Sequence, residues 1–218
     1  MKKIAIILSG SGVYDGSEIH ESVLTLLAIE QKGASYRCFA PNIEQHHVIN
    51  HLNGEVMTSE SRNVLEESAR IARGDIEDVE QLNADEFDAL IVPGGFGAAK
   101  NLCDFAIHGE NCQINEQVLT ACQQFKQANK PAGYMCIAPT LISFVYGKGA
   151  SATIGKDQGV AAQLEAMGLN HINCEVNDVV IDKQRKLVTT PAYMLAMSLV
   201  EASSGINKLV DAIIAMCD

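Results

Sequence analysis

Positive charge, long apolar runs and paired cysteines are all scarce in this 218-residue chain. Lysine and arginine number 16 against 27 acidic residues, leaving a net charge of −11. Neither a nucleic-acid backbone nor an anionic membrane surface is expected as a partner. No apolar run approaches the roughly 20 residues of a membrane-spanning helix. The opening Ile4–Leu8 is also too short for a secretory segment and reads as a buried strand. Seven cysteines make an odd set without any Cys-x-x-Cys. That excludes a disulfide framework and points to reduced thiols, hence to a cytoplasmic chain. No cysteine–histidine pairs have zinc-ligand spacing, so no structural metal is expected. Gly10-Ser-Gly-Val-Tyr-Asp-Gly16 lacks the spacing of a dinucleotide loop, and Ala40-Pro41-Asn42 offers no acidic ribose ligand after the second strand. No cofactor is expected.

What is present is an alternation of strand and helix signals in a chain of globular composition, 47% hydrophobic and 20% charged. Strands are expected at Ile4–Leu8, Ser35–Ala40, Ala89–Val92 and Ala132–Met135. Val179–Asp182 and Lys186–Thr190 should form a hairpin around Lys183-Gln-Arg. Helical spacing covers Ser17–Lys32, Arg62–Arg73, Ala98–Phe105, Asn115–Asn129 and Asp157–Met167, followed by two helices near Met194–Ala202 and Lys208–Cys217. Gly33, Gly74 and Gly168 mark helix ends. Alternating βα units imply an α/β fold, a doubly wound and mainly parallel sheet with helices on both faces. No linker or composition shift divides it, so residues 1–218 form one domain.

One cysteine stands out. Ala132–Met135 runs straight through Cys136 into the helix-competent Ile137-Ala-Pro-Thr-Leu-Ile. A strand that turns directly into a helix holds the turn residue in a strained conformation above the sheet edge, the nucleophile-elbow arrangement. The helix N-terminus behind it should favour thiolate over thiol. The second signal is Ala89–Val92 breaking into Pro93-Gly94-Gly95-Phe96-Gly97. In a parallel sheet both segments end at the carboxyl edge, where ligands bind. Backbone N–H groups of the Gly94-Gly95 turn and of Ile137 should then form an oxyanion hole facing one substrate oxygen.

Together with Ile6-Ile-Leu-Ser-Gly-Ser-Gly-Val-Tyr-Asp-Gly-Ser-Glu-Ile-His-Glu21, Val92–Leu102, Met135-Cys-Ile-Ala-Pro139 and Thr189-Thr-Pro-Ala-Tyr-Met-Leu-Ala196, these segments resemble the DJ-1/PfpI superfamily. Its flavodoxin-like fold is similar to the class I glutamine amidotransferase domain, and within it the chain most resembles the glyoxalase-like ElbB/ES1 group. The resemblance implies a glutamate from the helix after the first strand, protonated and hydrogen-bonded to the thiolate. Glu18 and Glu21 both qualify. Counting back from Gly33 favours Glu21 and counting forward from the strand favours Glu18; Glu21 is preferred. The resemblance also implies a pocket-lining Tyr193, a homodimer, and an enzyme converting glyoxal to glycolate through a Cys136 hemithioacetal without metal or glutathione. The substrate class is then a small dicarbonyl or aldehyde.

Histidine is where the chain departs from better-known relatives. Ile137, not histidine, follows Cys136; Ala150–Lys156 contains none; and no late histidine–proline–glutamate motif occurs. His20, on the glutamate helix, is the histidine best placed to approach the site. A cysteine–histidine–acid hydrolase, deglycase or PfpI-type peptidase is disfavoured accordingly. A redox-responsive or interaction protein on an amidotransferase-like scaffold is the main alternative, because an accessible thiol beside a carboxylate is also a site of oxidation.

Overall fold

Short apolar runs alternate with helices along the described chain, and seven of them pair in one main sheet. A computed structural model describes residues 1–217. In chain order the elements are β1 Lys3–Ile7, α1 Ile19–Gln31, β2 Ser35–Ala40, β3 Ile49–Asn50, β4 Glu55–Val56, α2 Val64–Ile71, β5 Ile76–Asp78 and β6 Ala89–Val92. They continue with α3 Phe105–His108, α4 Glu116–Gln127, β7 Ala132–Met135, α5 Ile142–Tyr146, β8 Ser151–Ala152, α6 Gln158–Ala166, β9 Asn170–His171, β10 Val180–Asp182, β11 Leu187–Thr190 and α7 Leu199–Met216.

Seven strands form the main sheet in the order β10-β11-β7-β6-β1-β2-β5. Every pairing is parallel except the β10–β11 hairpin. The chain therefore winds outward from β1 in one direction through β2 and β5, then returns to β6 and winds the other way. The reversal leaves a crevice between β1 and β6 at the carboxyl edge, the place where such sheets bind ligands.

Alternation along the central strands builds two cores. Ala5, Ile7, Leu90, Val92, Ala132, Tyr134 and Leu187 face one side, packed with Val118 and Phe125 of α4 and Ile142 of α5. Ile4, Ile6, Ala89, Ile91, Met135 and Val188 face the other, packed with Leu26 and Ile29 of α1 and Ile206, Leu209 and Ile213 of α7. Burial on both faces explains why these strands read as unbroken apolar runs.

Three expectations are corrected. The C-terminal segment is one helix, α7, rather than two. Gly205 lies between the two expected helices, and a Cβ on it would lie 2.5 Å from the Val176 carbonyl oxygen and 2.6 Å from Thr190 Oγ1. Glycine is there so that the helix can approach the sheet, not to end it. The expected helix over Ala98–Phe105 is a single π-helical turn, Ala98–Leu102, that stops at the extended Cys103. Cys103 bridges to Ile114, which diverts the chain before α3 begins. The edge strand β5 and the two-stranded pairs β3–β4 and β8–β9 were not anticipated. Each is two or three residues long, below the length at which alternation can be read.

Candidate active site

The loops after β1, β6 and β7 meet at the crevice, and each brings one part of the site. Cys136 directly follows β7 with φ +58°, a left-handed conformation unusual for a residue with a Cβ. Its N–H donates to the Thr190 carbonyl at 3.0 Å, which ties the turn to the end of β11. The strand-to-helix turn that the sequence implied is therefore present. It opens into a 3₁₀ turn, Ala138–Leu141, with Pro139 in its first positions, before α5.

Glu21, on the first turn of α1, is wholly buried. Its Oε2 accepts from the Gly94 N–H at 2.9 Å and its Oε1 from the Tyr193 N–H at 3.1 Å. It also hydrogen-bonds with the Cys136 thiol. Burial pushes its pKa up to about 7, against the pull of the Tyr193 N–H and with help from the nearby Glu18 charge. Glu18 takes the other role. It is the N-cap of α1, its carboxylate accepting from the Glu21 N–H at 2.7 Å. Two carboxylates three residues apart thus divide the work, and Glu21 is the one against the sulfur.

Gly94 sits between the pair. A Cβ there would lie 2.4 Å from Cys136 Cβ, 2.9 Å from its Sγ and 2.7 Å from Glu21 Oε2. Because its N–H is bonded to Glu21, Gly94 is not an oxyanion donor, contrary to the sequence reading. The Gly95 and Ile137 backbone N–H groups, beside the Cys136 sulfur, pull the thiol pKa down. They do not prevail. Burial, and then the Glu21 charge, raise the thiol well above its ordinary value. The expected thiolate-favouring helix dipole is corrected accordingly: a four-residue 3₁₀ turn presents little dipole, and a buried sulfur loses its hydration.

The Tyr193 N–H reaches Glu21 because Ala192 takes φ +44° in Pro191-Ala-Tyr193. Tyr193 also borders the cavity, and its hydroxyl lies 3.0 Å from His20 Nδ1 at the exposed mouth. His20 therefore meets the site through Tyr193 rather than through the thiol.

Cys136 opens into a cavity of about 340 Å³. Most of its wall is apolar, from Val13, Phe96, Phe105, Val160 and Met194, and no histidine borders it among the described residues. Glu18 and Asp157 supply the charge at its border, Asp157 being the N-cap of α6 with its carboxylate accepting from Val160 N–H at 2.9 Å. Sequence reasoning missed Phe105, Asp157 and Val160, whose only local signals were a short apolar pair and a helix cap.

No family model matches the chain. It is 45% identical over 217 residues to human "Glutamine amidotransferase-like class 1 domain-containing protein 3, mitochondrial", covering 95% of this chain and 81% of that protein. It is 44% identical to the rat "ES1 protein homolog, mitochondrial", over 98% of this chain and 84% of the relative. The crystal structure of an Ehrlichia chaffeensis isoprenoid biosynthesis protein with an amidotransferase-like domain superposes with a TM-score of 0.93 at 34% identity, over all of both chains. Glyoxalase III from Candida albicans shares the fold alone, with a TM-score of 0.65 at 14% identity over 100% of this chain and 98% of that one. The cytoplasmic expectation does not stand, since the human and rat relatives are both named mitochondrial. Its physical basis was reduced thiols, which do not distinguish cytosol from other reducing compartments. With the fold, the cysteine elbow and these relatives in agreement, the chain belongs to the ES1 family of glutamine amidotransferase-like proteins.

Proposed function

We propose that this protein is a slow glyoxalase that converts glyoxal to glycolate on Cys136, using neither metal nor glutathione. The observation that carries the reading is the strained Cys136 with Glu21 hydrogen-bonded to its thiol and two backbone N–H groups beside its sulfur. The likeness in fold to glyoxalase III supports it.

Glu21 takes the thiol proton as the sulfur adds to one carbonyl carbon and then hands it to the resulting oxyanion, which completes the hemithioacetal and leaves Glu21 a carboxylate again. The oxyanion of the hemithioacetal forms beside the Gly95 and Ile137 N–H groups, which a buried site makes more effective than water. Glu21 removes the hydrogen from the sulfur-bearing carbon, giving an enediol, and returns a proton to the second carbon. The product of that shift is a hydroxyacyl thioester. Water cleaves it to glycolate and restores the thiol, so glyoxal plus one water gives one glycolate. With no histidine at the thiol and a thiol pKa pushed upward, turnover is slow. Tyr193 at the mouth orients the substrate.

The charge on the cavity border predicts selectivity. Glu18 and Asp157 repel an anion, and at short range in a partly buried site such repulsion is worth a tenfold preference or more. Methylglyoxal should be turned over at least about tenfold more efficiently than an oxoaldehyde with a carboxylate tail. Glycolate formation from glyoxal, followed with metal and glutathione excluded, tests the reading itself. No product, or product that persists after Cys136 is alkylated, would sink it.

We also propose that the chain is a homodimer. Ile19, Val23 and Leu27 recur at four-residue spacing on the outer face of α1, and Met197, Leu199 and Val200 lie exposed at the start of the adjoining α7. Sedimentation should give twice the chain mass, and the double variant Val23→Glu/Val200→Glu should give the single mass. A monomeric wild type refutes the assembly.

A further inference from the structure

Outside the active centre, two of the other six cysteines face each other. Cys103 follows the π-helical turn Ala98–Leu102, and Cys112 closes the short helical excursion that begins at Phe105. The chain on either side of that excursion is held as a small antiparallel ladder. Cys103 bridges to Ile114, Asp104 N–H donates to the Gln113 carbonyl at 3.0 Å, and Asn115 N–H donates to the Leu102 carbonyl at 2.9 Å. That ladder brings the two cysteines together at its open end, near enough for each thiol to influence the titration of the other. Cys103 Sγ lies 3.4 Å from the Ala98 carbonyl oxygen and 3.8 Å from Thr140 Oγ1. Both cysteines are buried, Cys112 the less deeply.

The position of the pair gives it a consequence. The residues enclosed between Cys103 and Cys112 include Phe105 and Ala106, which line the cavity over Cys136. Thr140, beside Cys103, donates its hydroxyl to the Ile137 carbonyl at 2.9 Å, and the Ile137 N–H lies beside the Cys136 sulfur. A covalent change at the pair would therefore be felt on one wall of the cavity and at one end of the oxyanion site.

We infer that Cys103 and Cys112 are a peroxide-sensitive dithiol whose closure to a disulfide reshapes the cavity wall carried by Phe105 and Ala106. The chemistry is a two-electron oxidation by a small hydroperoxide. The Cys112 thiolate attacks one peroxide oxygen, the O–O bond breaks, hydroxide leaves, and Cys112 becomes a sulfenic acid. The Cys103 sulfur then attacks the Cys112 sulfur. An S–S bond forms, the S–O bond breaks, and the Cys103 proton departs with the hydroxyl as water. The two electrons come from the sulfurs and reduce the peroxide. The electrostatics suit that division of roles. The Cys103 thiol pulls the Cys112 pKa down, while Cys112 and then burial push Cys103 well up. Cys112 is accordingly the attacking thiolate and Cys103 the resolving thiol.

The test uses the whole chain and hydrogen peroxide, and its first arm needs no assumption about glyoxal. Wild type and Cys136→Ser are exposed to limiting peroxide, and their non-reduced peptides are mapped by mass. The expected product in both is a Cys103–Cys112 linked species two hydrogens lighter than the dithiol. Cys112→Ala and Cys103→Ala should each abolish it. The second arm measures the rate at which iodoacetamide alkylates Cys136 in reduced and bridged protein; a change of several-fold, reversed by dithiothreitol, is expected. Absence of the linked peptide, or oxidation of Cys136 in its place, overturns the proposal. A bridge that leaves Cys136 alkylation unchanged overturns its coupling to the cavity.

Discussion

Glyoxal turnover falls to background in Cys136→Ser and by about 10²–10⁴-fold in Glu21→Gln, if the two side chains act as one unit. The double variant should be no worse than Cys136→Ser alone, because groups that share one proton transfer are not additive. Glu18→Gln should keep most of the activity, since Glu18 caps α1 rather than meeting the sulfur. The pH profile separates chemistry from scaffolding. Glu21 takes its proton only when ionised, and its pKa stands at about 7, so the rate should rise through that region and level off above it. Stability moves the other way. A folded state that keeps a proton up to about pH 7, where the unfolded carboxyl would lose it near 4.5, becomes less stable as pH rises through that window. The shift corresponds to roughly 3 kcal/mol lost across it. Glutamine cannot titrate, so urea midpoints of Glu21→Gln should lack that slope, although one of the Gly94 and Tyr193 N–H groups then faces an amide nitrogen instead of an oxygen. Parallel stability curves for wild type and Glu21→Gln would show that Glu21 is not held protonated by burial. Retained activity in Glu21→Gln would remove it from the mechanism.

Much of this architecture was legible because the central strands are buried on both faces. Ser35–Ala40, Ala89–Val92 and Ala132–Met135 appear where the sequence places them, each bounded by glycine or proline. Gly33, Gly74 and Gly168 do end their segments in left-handed conformations. The elbow was legible for a related reason: a strand with no loop before its helix leaves the turn residue few conformations. What could not be read depends on distance across the fold. Whether Glu18 or Glu21 meets the thiol turns on where α1 begins relative to Gly94, and the Glu18 cap decides that only in three dimensions. The upward shift at Cys136 comes from burial under loops distant in sequence. The unbroken α7 was not legible either, because a glycine that ends a helix and one that, like Gly205, lets a helix touch a sheet look alike in one dimension.

Gly95→Ala should be the most damaging single-methyl addition in the site, to stability and catalysis together. Gly95 has φ +93°, where a side chain is strained, and its added Cβ would lie 2.3 Å from Glu18 N and 2.4 Å from the Gly16 carbonyl oxygen. Both are backbone atoms, so neither can swing aside. The loops after β1 and β6 are zipped at this point by Glu18 N–H to Gly94 O at 2.9 Å, Phe96 N–H to Val13 O at 2.8 Å and Gly97 N–H to Gly16 O at 2.8 Å. Making room for the methyl means separating them. Backbone strain and overpacking each cost about 1–3 kcal/mol, against a total stability of about 5–15 kcal/mol. A fall in melting temperature of roughly 5–20 °C follows for a chain of this size. Separation also carries the Gly95 N–H away from the oxyanion position, and losing one such donor costs about 10²–10³ in rate. Gly33→Ala is the matched control: its φ is +68°, but its Cβ meets nothing within 4 Å, so it should show a smaller loss of stability and unchanged turnover. Calorimetry and glycolate formation on the two variants give the comparison. If Gly95→Ala melts like Gly33→Ala and keeps its rate, the loops are not locked at this contact, and Gly95 does not hold the oxyanion.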